Sequence, residues 1–511
     1  MTLYDITMEE YIMNNEFENV QPTSNDKKKK ILAFAVIGAI VVLAIILLAI
    51  IIPKIFDKQE EEINLFHEDL VCFYDGQEWG YANKKGKKVI SAKFADAYAF
   101  ADNGLALASK DGKTYGYINK KGEFEIKDKY LSGSGFYDNG LAVVMNDDGE
   151  VGAIDKKGET VIDFKYVSIG KFNEDGLAVV GKYNDKEGRV LYGVIDSKGE
   201  LVFAAKYERI ELPNKSGSTV AMDDGVWGVL NKKGEWTVKP RYATATAFDD
   251  NNLSIVSNKE GEFGVINTKG KVIVKLGYEG ITSFSEDDGL AFFKEDDKWG
   301  VINTKGKVVV DADFDRVFAG YVDGIAIVED RDDYIAIDKK GEEVFEFEDC
   351  KPAAGFHNGL VLVQEIRRDG KSGKYGFMDA KGKLVIDYEY YAASSFVPGD
   401  YACVMDDQYY GFIDETGKVV IPLDYDGGGM FFSDGYAVVF DEGENNDISC
   451  VILNKSGKVV FDKCDNVRYD VGHKMISAGP SIDLPDFDFD FGGNDTTVDE
   501  KDDDLDEEAQ G

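Results

Sequence analysis

One phrase recurs eleven times in this chain and leaves it few folds to choose from. An aromatic residue and a glycine are followed by two apolar residues, Asn or Asp, two polar residues, Gly, and then Lys or Glu. Trp299-Gly300-Val301-Ile302-Asn303-Thr304-Lys305-Gly306-Lys307 is a clean copy. The turn glycines are Gly86, Gly122, Gly158, Gly199, Gly234, Gly270, Gly306, Gly341, Gly382, Gly417 and Gly457, at steps of 35, 36, 40 or 41 residues. A period in the range of about 20–50 residues marks a repeat architecture. One array over residues 69–478 therefore replaces the roughly three or four domains that a chain this long would otherwise suggest.

Residues 289–318 show how one copy folds. Leu290-Ala291-Phe292-Phe293-Lys294, then Trp299 to Asn303, then Lys307-Val308-Val309-Val310-Asp311 are short runs of β-branched and aromatic residues bounded by polar turns, the mark of strands. Asn303-Thr304-Lys305-Gly306 puts Asn first and Gly fourth, a type I turn closed by a left-handed glycine. The unit is expected to be a three-stranded antiparallel meander, with a connection such as Phe314-Asp315-Arg316-Val317-Phe318 leading onward. Leu290/Phe292 and Ala291/Phe293 make both faces of the first strand apolar, so both faces of the sheet must be covered. A unit this short cannot cover itself. Neighbouring copies must stack face to face, roughly 10 Å apart. The glycine of the aromatic–Gly pair is expected to let a ring of the next sheet approach the backbone.

Trp79-Gly80, Trp227-Gly228 and Trp299-Gly300, with Tyr115-Gly116, Tyr192-Gly193, Phe263-Gly264, Tyr375-Gly376 and Tyr410-Gly411, give the array its signature. Gly-Leu-Ala follows at Gly104, Gly140, Gly176 and Gly289. In these features the chain resembles the WG-repeat family of bacterial tandem β-repeats. Departures fall at Val151-Gly152, Tyr334-Ile335 and Cys450-Val451, which lose the ring, the glycine or both. The resemblance implies an interaction array, here of a membrane-anchored bacterial type, and carries no catalytic residue set. Propellers usually hold about four to eight blades. Eleven copies exceed that, so the expected architecture is an open curved or superhelical stack, with one or two β-propellers as the alternative. Leu70-Val71-Cys72-Phe73 and Lys474-Met475-Ile476-Ser477 offer a strand at each end, which suits a capped stack or a closed ring.

Residues 31–52 are 22 apolar residues without a charge, long enough to span a bilayer as a helix. Lys27, Lys28, Lys29 and Lys30 precede them, which places residues 1–30 in the cytoplasm and the array outside. A cleaved signal peptide would have a shorter apolar core and small residues behind it, where this chain has Ile52-Pro53-Lys54. Residues 53–68 then read as a linker. Much acidic excess of the chain, whose net charge is −38, falls in residues 479–511, which read as a disordered tail. A balance of this sign argues against nucleic acid as partner.

Few residues suggest chemistry. His67, His357 and His473 recur beside no Ser, Cys or Asp in a triad pattern. Gly370-Lys371-Ser372 resembles the end of a phosphate loop, but Ile366-Arg367-Arg368 upstream holds no glycine. Cys72, Cys350, Cys403, Cys450 and Cys464 lack zinc spacing and read as small buried side chains, with a Cys450–Cys464 pairing left open. No catalytic, cofactor-binding or metal residue is assigned. Charge placement is the sharper signal. Turns after the second strand carry Lys84-Lys85, Lys120-Lys121, Lys156-Lys157, Lys232-Lys233 and Lys339-Lys340. Turns after the first carry Asp147-Asp148, Asp223-Asp224, Asp296-Asp297, Asp332-Asp333 and Asp406-Asp407, with Arg367-Arg368 the exception. A basic rim and an acidic rim at opposite strand ends are expected, although hairpin tips are also polar simply because they face water. The expected function is a non-catalytic cell-surface scaffold for a protein or an anionic or glycan envelope polymer. The alternatives are a carboxylate-dependent extracellular hydrolase and a mechanical spacer.

Overall fold

The computed structural model describes residues 63–369, 371–396, 401–442, 448–471 and 474–478. The expected segments 1–30, 31–52 and 479–511 lie outside them. Every regular element among the described residues is a β-strand, and no helix there is long and apolar enough to cross a membrane. The strands form eleven antiparallel sheets, one per copy of the phrase.

Each internal sheet has four strands in chain order, one more than the sequence suggests. In the copy around Trp299 they are Gly280–Ile281, Leu290–Glu295, Lys298–Asn303 and Val308–Phe314. The extra strand comes from the segment expected to be a mere connection. After Phe314 only Asp315 intervenes before Arg316–Val322, which pairs with Ile325–Asp330. Without it, the outer N–H and C=O groups of that neighbour would lack strand partners.

The faces follow the sequence expectation. Leu290 and Phe292 pack with Val301 against Ala326, Val328 and Ile337 of the following sheet. Ala291 and Phe293 pack with Ile302 against Val265 and Val274 of the preceding one. Each sheet is buried on both sides by its neighbours.

The stack closes, which corrects the open superhelix. Among the described residues, eleven apolar clusters lie between eleven sheets, where an open stack would have ten. The eleventh cluster joins Val71 and Phe73 near the start of the array to Phe440, Phe461 and Val467 near its end. Leu70–Tyr74, Trp79–Asn83 and Lys88–Phe94 are completed by Asn466–Val471 and Lys474–Ala478, with Phe73 opposite Val467. One eleven-bladed β-propeller results, and both ends of the array build its first sheet. Arg468 secures the seam. Its guanidinium bonds to Asp96 and, at 2.8 Å, to the Ala97 carbonyl, and lies 4.0 Å from the Trp79 ring centre. Residues 63–68, read from sequence as the end of a linker, belong to the ring. Ile63, Leu65 and Phe66 are buried beside Phe432, and Leu65 and Phe66 donate backbone N–H groups to Asp434.

The glycine of the aromatic–Gly pair also has a different neighbour from the one expected. A Cβ on Gly116 would stand 2.4 Å from the Ile126 carbonyl, and one on Gly80 would stand 2.7 Å from the Ala92 nitrogen. These atoms belong to the following strand of the same sheet, which bulges toward the glycine. Where Ile335 replaces the glycine, the opposing strand is only Glu343–Glu346, against seven residues in Val308–Phe314.

Candidate functional site

The surfaces available for recognition are the two ends of the strands, and the hairpin turns decide what each presents. The lysine-rich turns are built alike in every sheet. Asn303 Oδ1 accepts N–H groups from Lys305 and Lys307 at 3.0 and 3.1 Å, and Gly306 N–H donates to the Asn303 carbonyl at 2.8 Å. Asn83, Asp155, Asp338 and Asn454 do the same in their own turns. Asn or Asp opens the phrase because it caps this turn. Gly306, at φ 74°, lies against the preceding sheet, where a Cβ would sit 2.2 Å from the Ile273 carbonyl. The lysines between them are therefore carried outward on a rigid frame.

That face is not a basic rim. In a four-stranded sheet the first and third hairpin turns share an end, so the loops leading into each Leu290-type strand stand beside the lysines. Those loops are acidic, with Asp102, Glu174, Asp175, Asp250 and Asp323 among them. Lys84 pairs with Asp69 at 3.1 Å, Lys120 with Glu68, and Lys339 with the buried carboxylate of Asp288. The Asp288 carboxylate holds Lys339 above the usual lysine range. The sequence reading placed the lysine turns correctly but missed their neighbours, because a three-stranded unit has no such loop.

The opposite face keeps its acidic character. Asp224, Asp296, Asp297 and Asp332 sit at φ 50°, 51°, 62° and 72°, on tight turn tips that Asp and Asn tolerate better than most residues. Their doublets are joined there by the single residues that link one sheet to the next. Asp315 binds Lys298 and accepts the Arg331 N–H at 2.8 Å, and these donors hold its carboxyl below the usual range. Glu208 is held low in the same way by Arg189 and by the Gly225 N–H at 2.8 Å. Asp441 is pushed up, first by burial and then by its hydrogen-bonded neighbour Asp426. Among the described residues no group of three or more His, Cys, Asp or Glu side chains is arranged to hold a metal ion.

The remaining candidates are dispersed. His67 lies at the seam, where its backbone pairs with Leu70; His357 ends the strand Cys350–His357; His473 and Gly370 lie outside the described residues. Trp79 and Trp227 are buried, so their rings pack the core. Cys72, Cys350, Cys450 and Cys464 are buried and Cys403 is half-buried; all five are free thiols. Burial pushes the Cys72 thiol up to about 12 and Cys403 up to about 11.

No curated protein matches the chain. Two solved structures match it at low similarity. One is a eukaryotic initiation factor, 10% identical, with a TM-score of 0.34, covering 80% of this chain and 97% of that one. The other is BamB from Moraxella catarrhalis, 12% identical, with a TM-score of 0.22, covering 82% and 96%. Scores this low carry no argument. The model of the WG containing repeat matches residues 79–113, 115–149, 152–186, 192–217, 227–261, 263–299, 299–334, 375–410 and 410–443. No match begins at Tyr334-Ile335 or Cys450-Val451, the two copies that lack the glycine. With more than half of its length matched, the chain belongs to the WG containing repeat family.

Proposed function

We propose that the propeller is a non-catalytic binding scaffold that meets a basic protein through its acidic turn face. The observation that carries this reading is the contrast between the two ends of the strands. Lys84, Lys120 and Lys339 at one end pair with neighbouring carboxylates, while Asp147-Asp148, Asp223-Asp224 and Asp406-Asp407 lead an acidic set at the other, beside the paired Asp315 and Glu208. A patch of one sign attracts a partner of the other sign and speeds encounter. On the same face, hydrogen-bond donors hold the carboxyls of Asp315 and Glu208 below the usual range. In this reading residues 31–52 anchor the chain in a membrane, residues 1–30 stay in the cytoplasm, and the ring is presented outside, as in a bacterial surface protein. No nucleic acid is involved.

The test measures binding of the full-length chain to cytochrome c, a small basic protein, at rising salt. Asp147→Asn, Asp148→Asn, Asp223→Asn, Asp406→Asn and Asp407→Asn are combined in one variant. A control combines Asp102→Asn, Asp138→Asn, Asp175→Asn, Asp250→Asn and Asp287→Asn on the lysine-turn face. Affinity is expected to fall at least tenfold in the first variant and to change little in the second. Equal losses would mean that net charge alone attracts the probe, and the reading would fail. No binding by the unmodified chain would favour the mechanical spacer instead. One observation speaks for a hydrolase, the hydrogen-bonded carboxyls of Asp426 and Asp441 in the last sheet. Glycan turnover that disappears in Asp441→Asn would establish it.

A further inference from the structure

Across the array, the residue that opens each phrase faces one at the far end of the strand that follows it. In eight sheets both members of the pair are aromatic, as in Trp79 with Phe94, Trp299 with Phe314, and Tyr410 with Tyr425. The last sheet changes both members together. Cys450 takes the place of the ring and faces Cys464. A lone cysteine in a core slot is an ordinary small side chain, but two cysteines in the two halves of one structural pair need a joint explanation.

We propose that Cys450 and Cys464 are a disulfide site that locks the last sheet beside the seam of the ring. Opposed residues of an antiparallel pair stand about 4.5–5.5 Å apart at Cα, within the roughly 4.4–6.8 Å that a disulfide spans. The Cys464 thiol lies 3.2 Å from the Cys450 carbonyl oxygen, on the side of its partner. Both residues are buried in the cluster that contains Phe73 and Phe461, where the end of the array meets its beginning. The aromatic pair of the other sheets is thereby replaced by a covalent link at the place where closure depends on it. The thiols of Cys72, Cys350 and Cys403 lie on three other sheets and have no such opposite number.

The oxidant is a small disulfide such as oxidised glutathione. The thiolate of one cysteine attacks it, forms a mixed disulfide and releases one thiolate. The second cysteine, as thiolate, then attacks the protein sulfur of the mixed disulfide and expels the other thiolate. Two protein thiols lose two protons and two electrons, and the oxidant leaves as two thiols. The hydrogen bond with Cys464, and then burial, push the Cys450 thiol well above its usual range in the finished ring, so the bond forms as the last sheet assembles. The step requires an oxidising compartment and does not depend on the proposed partner.

The test incubates the full-length chain with oxidised glutathione, both folded and at the urea concentration that unfolds half of it. Remaining thiols are alkylated and peptides are mapped by mass spectrometry without reductant. The expected product is one linked peptide pair containing Cys450 and Cys464, two hydrogens lighter than its reduced form, with the other three cysteines alkylated. Reductant should then lower the melting temperature of the oxidised chain by several degrees and leave that of a Cys450→Ala, Cys464→Ala variant unchanged. Five alkylated cysteines under both conditions, or Cys464 joined to a different cysteine, would overturn the proposal, and the mapping decides this without any variant.

Discussion

The two sets of hairpin turns differ in charge and also in how closely their geometry repeats. At the lysine end each turn runs from Asn or Asp to Gly in four residues, and its side-chain bonds recur with little change from Asn83 to Asn454. At the acidic end the turns range from two residues, Asp296-Asp297, to the five between Met145 and Val151. Packing explains the difference. A Cβ on Gly86 would lie 1.9 Å from the Val460 carbonyl, whereas one on Gly149 or Gly225, at the acidic end, would meet nothing within 4 Å. A turn wedged against the next sheet tolerates one geometry, and a turn facing water tolerates many. Regularity in this sequence therefore reports contact between sheets, and the irregular turns are the ones available for recognition.

The largest test of that contrast uses the glycines. Gly86→Ala combines left-handed strain with a clash at the seam and is expected to cost about 2–5 kcal/mol in urea unfolding. Gly149→Ala meets only the strain, about 1–2 kcal/mol. Equal losses would break the comparison. A smaller effect is expected from the cap, where Asn303→Ala removes the one oxygen that accepts two N–H groups and should cost about 1–2 kcal/mol, while Asp147→Ala stays within about 0.5 kcal/mol. Thermal melts of the two variants side by side check this. The smallest effect sharpens the acidic side. Asp315 and Glu208 titrate lower in the folded chain than in the unfolded one. Each therefore adds stability above about pH 4 that is lost as pH falls through the lowered value. The melting temperature should drop slightly more between pH 5 and pH 3, both order-of-magnitude bounds on carboxylate titration, in the parent than in Asp315→Asn, Glu208→Gln. A rise on acidification would contradict the assignment.

Most of the single sheet was legible in the sequence, because Leu290 to Asp311 states its strands, its turn and its two apolar faces locally. The added first strand was not, since Ser132–Gly133 and Gly280–Ile281 are two-residue strands with no pattern to read. Closure was hidden for a related reason. Asn466–Val471 lacks the phrase altogether, and its partner Leu70–Tyr74 lies at the other end of the array. The lysine turns were visible, but their neutralisation was not, because Asp288 and Lys339 come together only when adjacent sheets stack. Cys450 stood visibly in an aromatic slot. That Cys464 fills the matching slot emerges only from the strand register.

The shared first sheet also bears on how the chain is made. A ribosome adding about 5–20 residues per second needs roughly 20–80 seconds to travel from Tyr74 to Asn466, and during that interval the strand Leu70–Tyr74 waits without its final neighbour. An unpaired edge of that kind invites the wrong strand. A product ending before Asn466 keeps it exposed for good, so synthesis of the last few strands is the step that turns a sticky intermediate into a finished circle.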